Sequence, residues 1–251
     1  DEQSVEFAAS TDTWVRVVNF ANAPDGTLHV CDMYREVIEH PWSIPEEIKQ
    51  YLDLNSGNDR GRIYRVVPTT GSWKRRPSVA LGKATSAELV STLGHPNGWH
   101  RDTATRLLYE RQDKSVVPAL RDLIRTSDSA VAKLHALAAL QGLGGLDAAT
   151  LLVALSAPEP VVRERGIFLA DQLRDVLAWT PALAEKMASL SKDRDERVRF
   201  QLAFSVQRVL AKSGLPTAVS QPLATAYADL ALRDSEDPWM AAALVSGPAP
   251  V

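Results

Sequence analysis

Two hydrophobic periods divide the chain. Between Trp14 and Asp32, VRVVNFA and LHVCD are β-rich runs separated by APDGT. Alternation with a period of two is that of a half-buried strand, and Pro24, which fixes φ, followed by Asp25-Gly26 predicts a tight turn that makes a β-hairpin of the two runs. His29, between Leu28 and Val30, then points to the opposite face of its strand from both. The segment GRIYRVVP returns as a further strand that Pro68 ends. Between the hairpin and this strand, PEEIKQYLDL predicts a short helix opening at Pro45, with Glu46 and Glu47 in the first turn where carboxylates oppose the helix dipole. NSGNDRG reads as a flexible turn, and the opening VEFAAS as an outer strand or lead-in.

From Ser86 the period lengthens to that of a helix, with regular breaks. The candidate helices are 86–93, 98–111, 115–126, 129–141, 146–156, 159–176, 181–191, 195–212, 217–233 and 237–245, alternating as antiparallel pairs with no strand among them. The second helix of each pair opens alike. A cation stands at Arg101, Lys133, Arg163 and Arg199, separated by 32, 30 and 36 residues, and a small residue follows about one turn later at Ala104, Ala136, Gly166 and Ala203. A helical hairpin has one apolar face it cannot bury alone, so a repeat of this kind stacks into a continuous core. The expected fold is mostly α: an α-solenoid preceded by a small antiparallel β segment. Leu107, Leu137, Leu169 and Val206 are the expected core. The domain limits are 1–68 for the β segment with its inserted helix, 69–85 for a linker and 86–251 for the solenoid. The hydrophobic-Arg-x-x-small signature resembles HEAT repeats, although its period is shorter than the roughly 40–47 residues of that class.

Composition narrows the function more than the fold. Among 251 residues, 45% are hydrophobic and 24% charged, which is the balance of a folded chain and not of a disordered tail. A net charge of −3 gives no basic field to condense on a phosphate backbone, so nucleic acid is not the expected partner. Cys31 is the single cysteine, so neither an internal disulfide nor a CxxCH haem attachment can form within these residues. No run approaches the roughly 20 apolar residues needed to span a bilayer, and DEQSVEFAAS has neither a basic nor an apolar leader region. Its abrupt entry into a strand-like segment is what a piece of a longer chain would show. There is no GxSxG, P-loop, GxGxxG or HExxH, so no catalytic residue is assigned.

A resemblance rests on particular residues. The run Asp25-Gly26-x-Leu28-x-Val30-x-Asp32-x-Tyr34, followed after an insertion by Gly61-Arg62-Ile63-Tyr64-Arg65, is similar to one blade of the sugar-dehydrogenase type of β-propeller. The longer strings DTWVRVVNFANAPDGTLHVCDMYREVIEHPWSIPEEIK and LDLNSGNDRGRIYRVVP resemble the planctomycete-type membrane-bound dehydrogenases over about the first quarter of the chain, and NGWHRDTATRLLYERQ more weakly at the start of the helices. That resemblance implies a large secreted parent with a propeller, helical repeats and a c-type cytochrome domain. It implies oxidation of a sugar or polyol by a quinone cofactor of the pyrroloquinoline type with calcium, electrons passing to a c-type haem outside this chain. The present chain would then be an extracytoplasmic terminal blade and solenoid, acting as scaffold and docking element beside the missing blades and the cytochrome domain. A blade buries its faces against neighbouring blades, so the β segment needs a partner surface. The rival reading is a non-catalytic binding module for polysaccharide or protein.

Candidate ligand-binding residues lie where the hairpin ends. Arg16, Asn19, Asp32, Tyr34 and Arg35 stand at or beside strand ends, where a propeller converges polar groups on a ligand. An arginine there could clamp a carboxylate or phosphate bidentately, or simply pair with an aspartate and pin the blade. Glu36, Glu39 and His40 have spacings that place ligands on one helical face, but Pro41 biases His40 away from helix, which favours a hydrogen-bonded capping loop over a metal. Trp99, His100, Arg101, Arg106, Glu110 and Arg111 could form a patch on the solenoid, although Arg106 and Glu110 are an i,i+4 pair and a tryptophan opening a repeat helix usually packs. His135, in LHALAAL, reads as a satisfied, partly buried histidine. Lys74, Arg75 and Arg76 in the linker are either a solvated tether or a dock for an acidic partner.

Overall fold

The structure is a computed structural model, and it describes residues 5–69, 79–173 and 175–247. It divides into two compact units. One gathers the residues up to Val79 together with Asn97–Trp99, and the other Ala80–Pro96 and the chain from His100 onward. The three linker cations Lys74, Arg75 and Arg76 lie outside the described residues.

The first unit is a three-stranded antiparallel sheet of β1 (Val17–Asn22), β2 (Leu28–Asp32) and β3 (Arg62–Val66), in that order. Phe20 faces Val30, which faces Tyr64 on its other side, and the register slips between Val17 and Asn19. The turn forms as the sequence predicts. The Gly26 N–H donates to the Ala23 carbonyl at 3.0 Å, and the Ala23 N–H to the Thr27 carbonyl at 2.8 Å. Gly26 itself has φ +86°, the left-handed region where a side chain is penalised. The Asp25 carboxylate locks the loop by accepting from the Thr27 N–H and hydroxyl at 3.1 and 2.6 Å. The inserted helix α1 (Glu46–Lys49) is a single turn after Pro45. The described part of the opening segment is a lead-in and forms no strand.

The second unit is a stack of helix pairs. These are α2 (Ser86–Thr92) with α3 (Gly98–Arg111), α4 (Val117–Thr126) with α5 (Ala130–Gly142), α6 (Ala148–Leu155) with α7 (Pro160–Asp171), α8 (Pro181–Ser189) with α9 (Glu196–Leu210), and α10 (Thr217–Asp234) with α11 (Pro238–Val245). Local chemistry sets the starts. Thr85 and Glu88 form a capping box before α2; the side chains of Ser129, Asp147, Thr180, Asp195 and Asp237 accept from first-turn amides; and Pro160, Pro181 and Pro238 take the first helical position, where a missing N–H costs nothing. First helices pack on first helices (α4 on α6, α6 on α8, α8 on α10) and second on second (α5 on α7, α7 on α9, α9 on α11). The described residues of this unit contain no strand.

Small residues let the pairs close. Ala104, Ala136 and Ala203 are fully buried, and a Cβ on Gly166 would lie 3.1 Å from Leu155 Cδ2 and 3.2 Å from Ala154 Cβ, so a side chain there would need α6 to give by a few tenths of an ångström. Leu137, Leu169 and Val206 are fully buried. Leu107 is a correction: it is half-buried, and its neighbour Leu108 joins Ala104 in the core, a rotation of α3 by one position. The predicted helix 159–176 also stops early, at Asp171. The Asp175 carboxylate accepts from the Leu177 N–H and opens a separate 3-10 turn, Val176–Ala178, that delivers Trp179 into the core.

The recurring cations tie each pair to its neighbours. Arg163 Nη1 donates to the carbonyls of Ala157 and Pro158 in the preceding loop (2.9 and 2.8 Å), while Nε and Nη2 grip the Asp193 carboxylate of the next pair at 2.7 and 2.8 Å. Arg199 does the same, to the Asp193 carbonyl at 2.9 Å and to Asp234 at 2.9 and 3.1 Å. Lys133, which lacks the fork, holds Glu159 at 2.9 and 3.0 Å. Arg101 Nη1 donates to the carbonyls of His95 and Pro96, but its Nε meets the His135 ring at 3.3 Å instead of an acid. The sequence recurrence is thus a ladder of buried polar contacts running along the stack.

Three outcomes are expected of this ladder and core. Leu137→Ala should cost about 2–5 kcal/mol as a core truncation, and a loss below about 1 kcal/mol in denaturant unfolding would place Leu137 off the core face. Arg163→Ala should cost about 3–5 kcal/mol because it strands the buried Asp193 carboxylate; unfolding at an unchanged midpoint would show that water solvates that site. Burial pushes the Asp193 carboxyl up, but the hydrogen bonds and charge of Arg163, with the Asp195 N–H, more than reverse this and hold it below the usual carboxylate range. Its contribution is therefore fully present above about pH 4 and is lost as pH falls through the lower folded value. Arg163→Ala should flatten that acid limb of the stability profile.

Candidate functional site

Asp32, at the end of β2, organises the hairpin's open end. Its side chain is buried, and Oδ1 accepts from the N–H groups of both Arg16 and Tyr34 at 2.8 Å. Oδ2 makes no hydrogen bond and stands 3.9 Å from Arg62 Nε. Tyr34 adopts φ +50°, rare for a residue with a side chain, and this turns its ring beneath the Arg62 guanidinium at 3.8 Å. The Tyr34 hydroxyl donates to Asp12 Oδ2 at 2.8 Å. That bond pushes the Tyr34 hydroxyl up, while the Trp14 N–H and then the Tyr34 hydroxyl hold Asp12 down, so the phenol keeps its proton at neutral pH.

The two arginines of interest meet backbone. Arg16 donates from its guanidinium to the carbonyls of Thr13, Val15 (3.2 Å) and Glu36 (3.4 Å), and its Nε is buried without a partner. Arg35 Nη1 donates to the Asn55 carbonyl at 2.9 Å, and its N–H to the Trp14 carbonyl at 3.1 Å. Arg16, Asp32, Tyr34 and Arg35 therefore come together, with Arg62 and Asp12 added by the fold. The aspartate's cationic neighbour is Arg62 from β3, not the Arg16 side chain. Asn19 lies apart on β1, exposed, its Oδ1 2.7 Å from the Phe20 N–H. His40 is the cap of a 3-10 turn (Pro41–Ser43), its Nδ1 accepting from the Trp42 N–H at 3.2 Å. Glu36 and Glu39 are exposed. Among the described residues no group of three or more His, Cys, Asp or Glu side chains could hold a metal ion.

The solenoid patch is held by its own contacts. Arg106 pairs with Glu110 at 2.8 Å on the surface, Arg111 donates to the carbonyls of Ala84 and Gly82, and the buried His100 ring stacks on His95 at 3.9 Å. His135 is partly buried and satisfied, with Thr105 Oγ1 3.0 Å from Nδ1. Burial pushes its pKa down, the Asp102 charge opposes this, and Arg101 adds to it, so the ring is neutral at pH 7.

A groove of about 410 Å³ lies on the face formed by the second helices. Leu134 and Ala138 of α5 and Val161 and Phe168 of α7 make its apolar wall, with His135, Glu164, Arg165 and Gln201 around them. Leu134 and Phe168 also pack, partly buried, against the core. Arg165 lies 4.7 Å over the Phe168 ring and donates to Gln141 Oε1 at 3.2 Å.

Comparison with known families finds two matches. Residues 1–70 match a family described as a domain of unknown function (DUF7133), and residues 86–170 match HEAT repeats. No curated protein and no solved structure matches the chain.

Removing Asp32 tests the hub. Asp32→Ala takes the acceptor from two amides and should destabilise the hairpin end by about 1–3 kcal/mol, whereas Asp32→Asn keeps Oδ1 and should cost less. Hydrogen exchange at Arg16 and Tyr34 reads this directly, and equal protection in wild type and Asp32→Ala would show that the carboxylate does not hold them. Arg16→Lys should lower the melting temperature, since lysine cannot reproduce the fork on three carbonyls.

Proposed function

We propose that this chain is a scaffold and docking element of a larger extracytoplasmic, dehydrogenase-like protein, in which the β unit joins further sheet structure and the solenoid supports it. One observation carries the docking role: the sheet has almost nothing to bury against. From Val5 to Thr69 only Ala23, Thr27 and Asp32 are buried, and every residue of β1 and β3 is exposed, including Val17, Val18, Phe20, Ile63, Tyr64 and Val66. Phe20 and Ile63 expose 60% and 67% of their surface. Two open, apolar edge strands on a three-stranded sheet are a template for pairing and a weak fold alone.

The dehydrogenase part of the reading comes from the propeller-like run in β2 and β3 and would belong to the parent, oxidising a sugar or polyol. The described residues offer no ligand set for calcium, and Cys31 alone cannot attach a haem. No redox step is therefore drawn through this chain. No helix among the described residues is long and apolar enough to cross a membrane. Stacked helix pairs of the HEAT type present extended surfaces suited to protein partners.

The test compares the 251-residue chain with the complete reading frame that encodes it. Amides of β1 and β3 should exchange quickly in the chain alone and gain protection in the complete protein, where the added sheet pairs with them. Equal exchange in both would sink the docking role. Further Asp-Gly-x-Leu-x-Val-x-Asp blades with a CxxCH segment in that frame would support oxidation; a frame with neither would leave the binding of polysaccharide or protein as the function.

A further inference from the structure

We infer that the groove on α5, α7 and α9 is a docking site for a peptide segment, seating an acidic side chain on Arg165 and apolar neighbours against Leu134, Ala138 and Val161. This stands apart from the reading of the β unit and rests on the helical unit alone.

The reason is an uncompensated cation. The partly or fully buried cations of the ladder mostly find a carboxylate within the fold: Lys133 has Glu159, Arg163 has Asp193 and Arg199 has Asp234. Even the more exposed Arg208 and Arg121 reach Asp171 and Asp147. Among the described residues Arg165 forms no ion pair with a carboxylate, and burial lowers its pKa. Glu164 also lines the groove, and it forms no ion pair with Arg165 among the described residues. A guanidinium stays charged, so a half-buried one without a counterion marks a place where an anion would gain.

Geometry selects the anion. The Arg165 guanidinium carbon lies 4.7 Å from the Phe168 ring centroid and Nη2 donates to Gln141 Oε1, which leaves further N–H donors on a group that binds carboxylates bidentately. The groove spans three successive second helices and is open along its length, which suits a chain segment better than an enclosed small molecule. Its wall is apolar beside the cation, with small Ala138 leaving room for an inserted side chain.

The experiment titrates the intact 251-residue chain, observed by amide NMR, with three acetylated and amidated hexapeptides: Ala-Leu-Glu-Val-Leu-Ala, its glutamine counterpart and its phosphoserine counterpart. The glutamate peptide should move amides in α5 and α7 around the groove and bind about 10-fold or more tightly than the glutamine peptide. Arg165→Gln should abolish that preference, and Arg165→Lys should keep part of it. Ala138→Glu places a carboxylate inside the groove and should block the peptide with Arg165 still present, which also carries the test should Arg165→Gln fail to fold; melting curves decide that. The proposal is overturned by equal affinity for the glutamate and glutamine peptides, by a glutamate preference that survives Arg165→Gln, by shifts confined to another surface, or by no shift at about 1 mM peptide. Binding of the phosphoserine peptide alone would also overturn it, in favour of a phosphate site.

Discussion

A partly or fully buried cation near the start of α3, α5, α7 and α9, four of the five second helices, is the constraint on which the helical stack depends. Once such a charge leaves water it must be answered on every side, and the answers come from different parts of the chain. Arg163 reaches back to two carbonyls of the loop between α6 and α7, and forward to an aspartate that precedes α9. Loop length, the angle of entry into the helix and the position of the next pair are thereby fixed by one side chain. The apolar core supplies most of the energy, but it is not directional. The polar ladder supplies the registration that leucines and alanines cannot.

The two units resolve burial in opposite ways. In the stack, each pair covers its neighbour, and large side chains from Leu89 to Leu230 reach full burial. In the sheet the only buried side chains are a small apolar one, a threonine and an aspartate, so order comes from hydrogen bonds around Asp25 and Asp32. Polar contacts of that kind define a shape without providing much net stability. Such a sheet leaves apolar side chains such as Phe20 and Ile63 in solvent.

Much of this was legible in the chain. The change to a helical period with regular breaks placed the starts of the solenoid helices to within a residue or two of those observed. The recurrence of Arg101, Lys133, Arg163 and Arg199 was visible as well, although their acidic partners were not. Glu159, Asp193 and Asp234 sit 26, 30 and 35 residues away, and only the stacking brings them near. The same limit hid Arg62 from the Asp32 cluster, since a residue that arrives from a third strand has no spacing rule. Leu107 against Leu108 was lost to a rotation of one position, which period alone does not decide. The groove was missed because Arg165 looks like any surface arginine until Phe168 and Gln141 are seen beside it.

The one rung that uses a ring in place of a carboxylate gives the stack two separate responses to acid. At the Lys133 and Arg163 rungs the partner carboxylates of Glu159 and Asp193 are held below the usual carboxylate range. At the first, Arg101 faces the neutral His135 ring, whose proton affinity burial has lowered and which only Asp102 helps to raise. The unfolded ring takes up a proton near pH 6.5 and the folded one resists, so stability drains from this junction as the pH drops below that point. Mild acidification therefore weakens the junction between the first two repeats before it reaches the Glu159 and Asp193 carboxylates that hold the later ones.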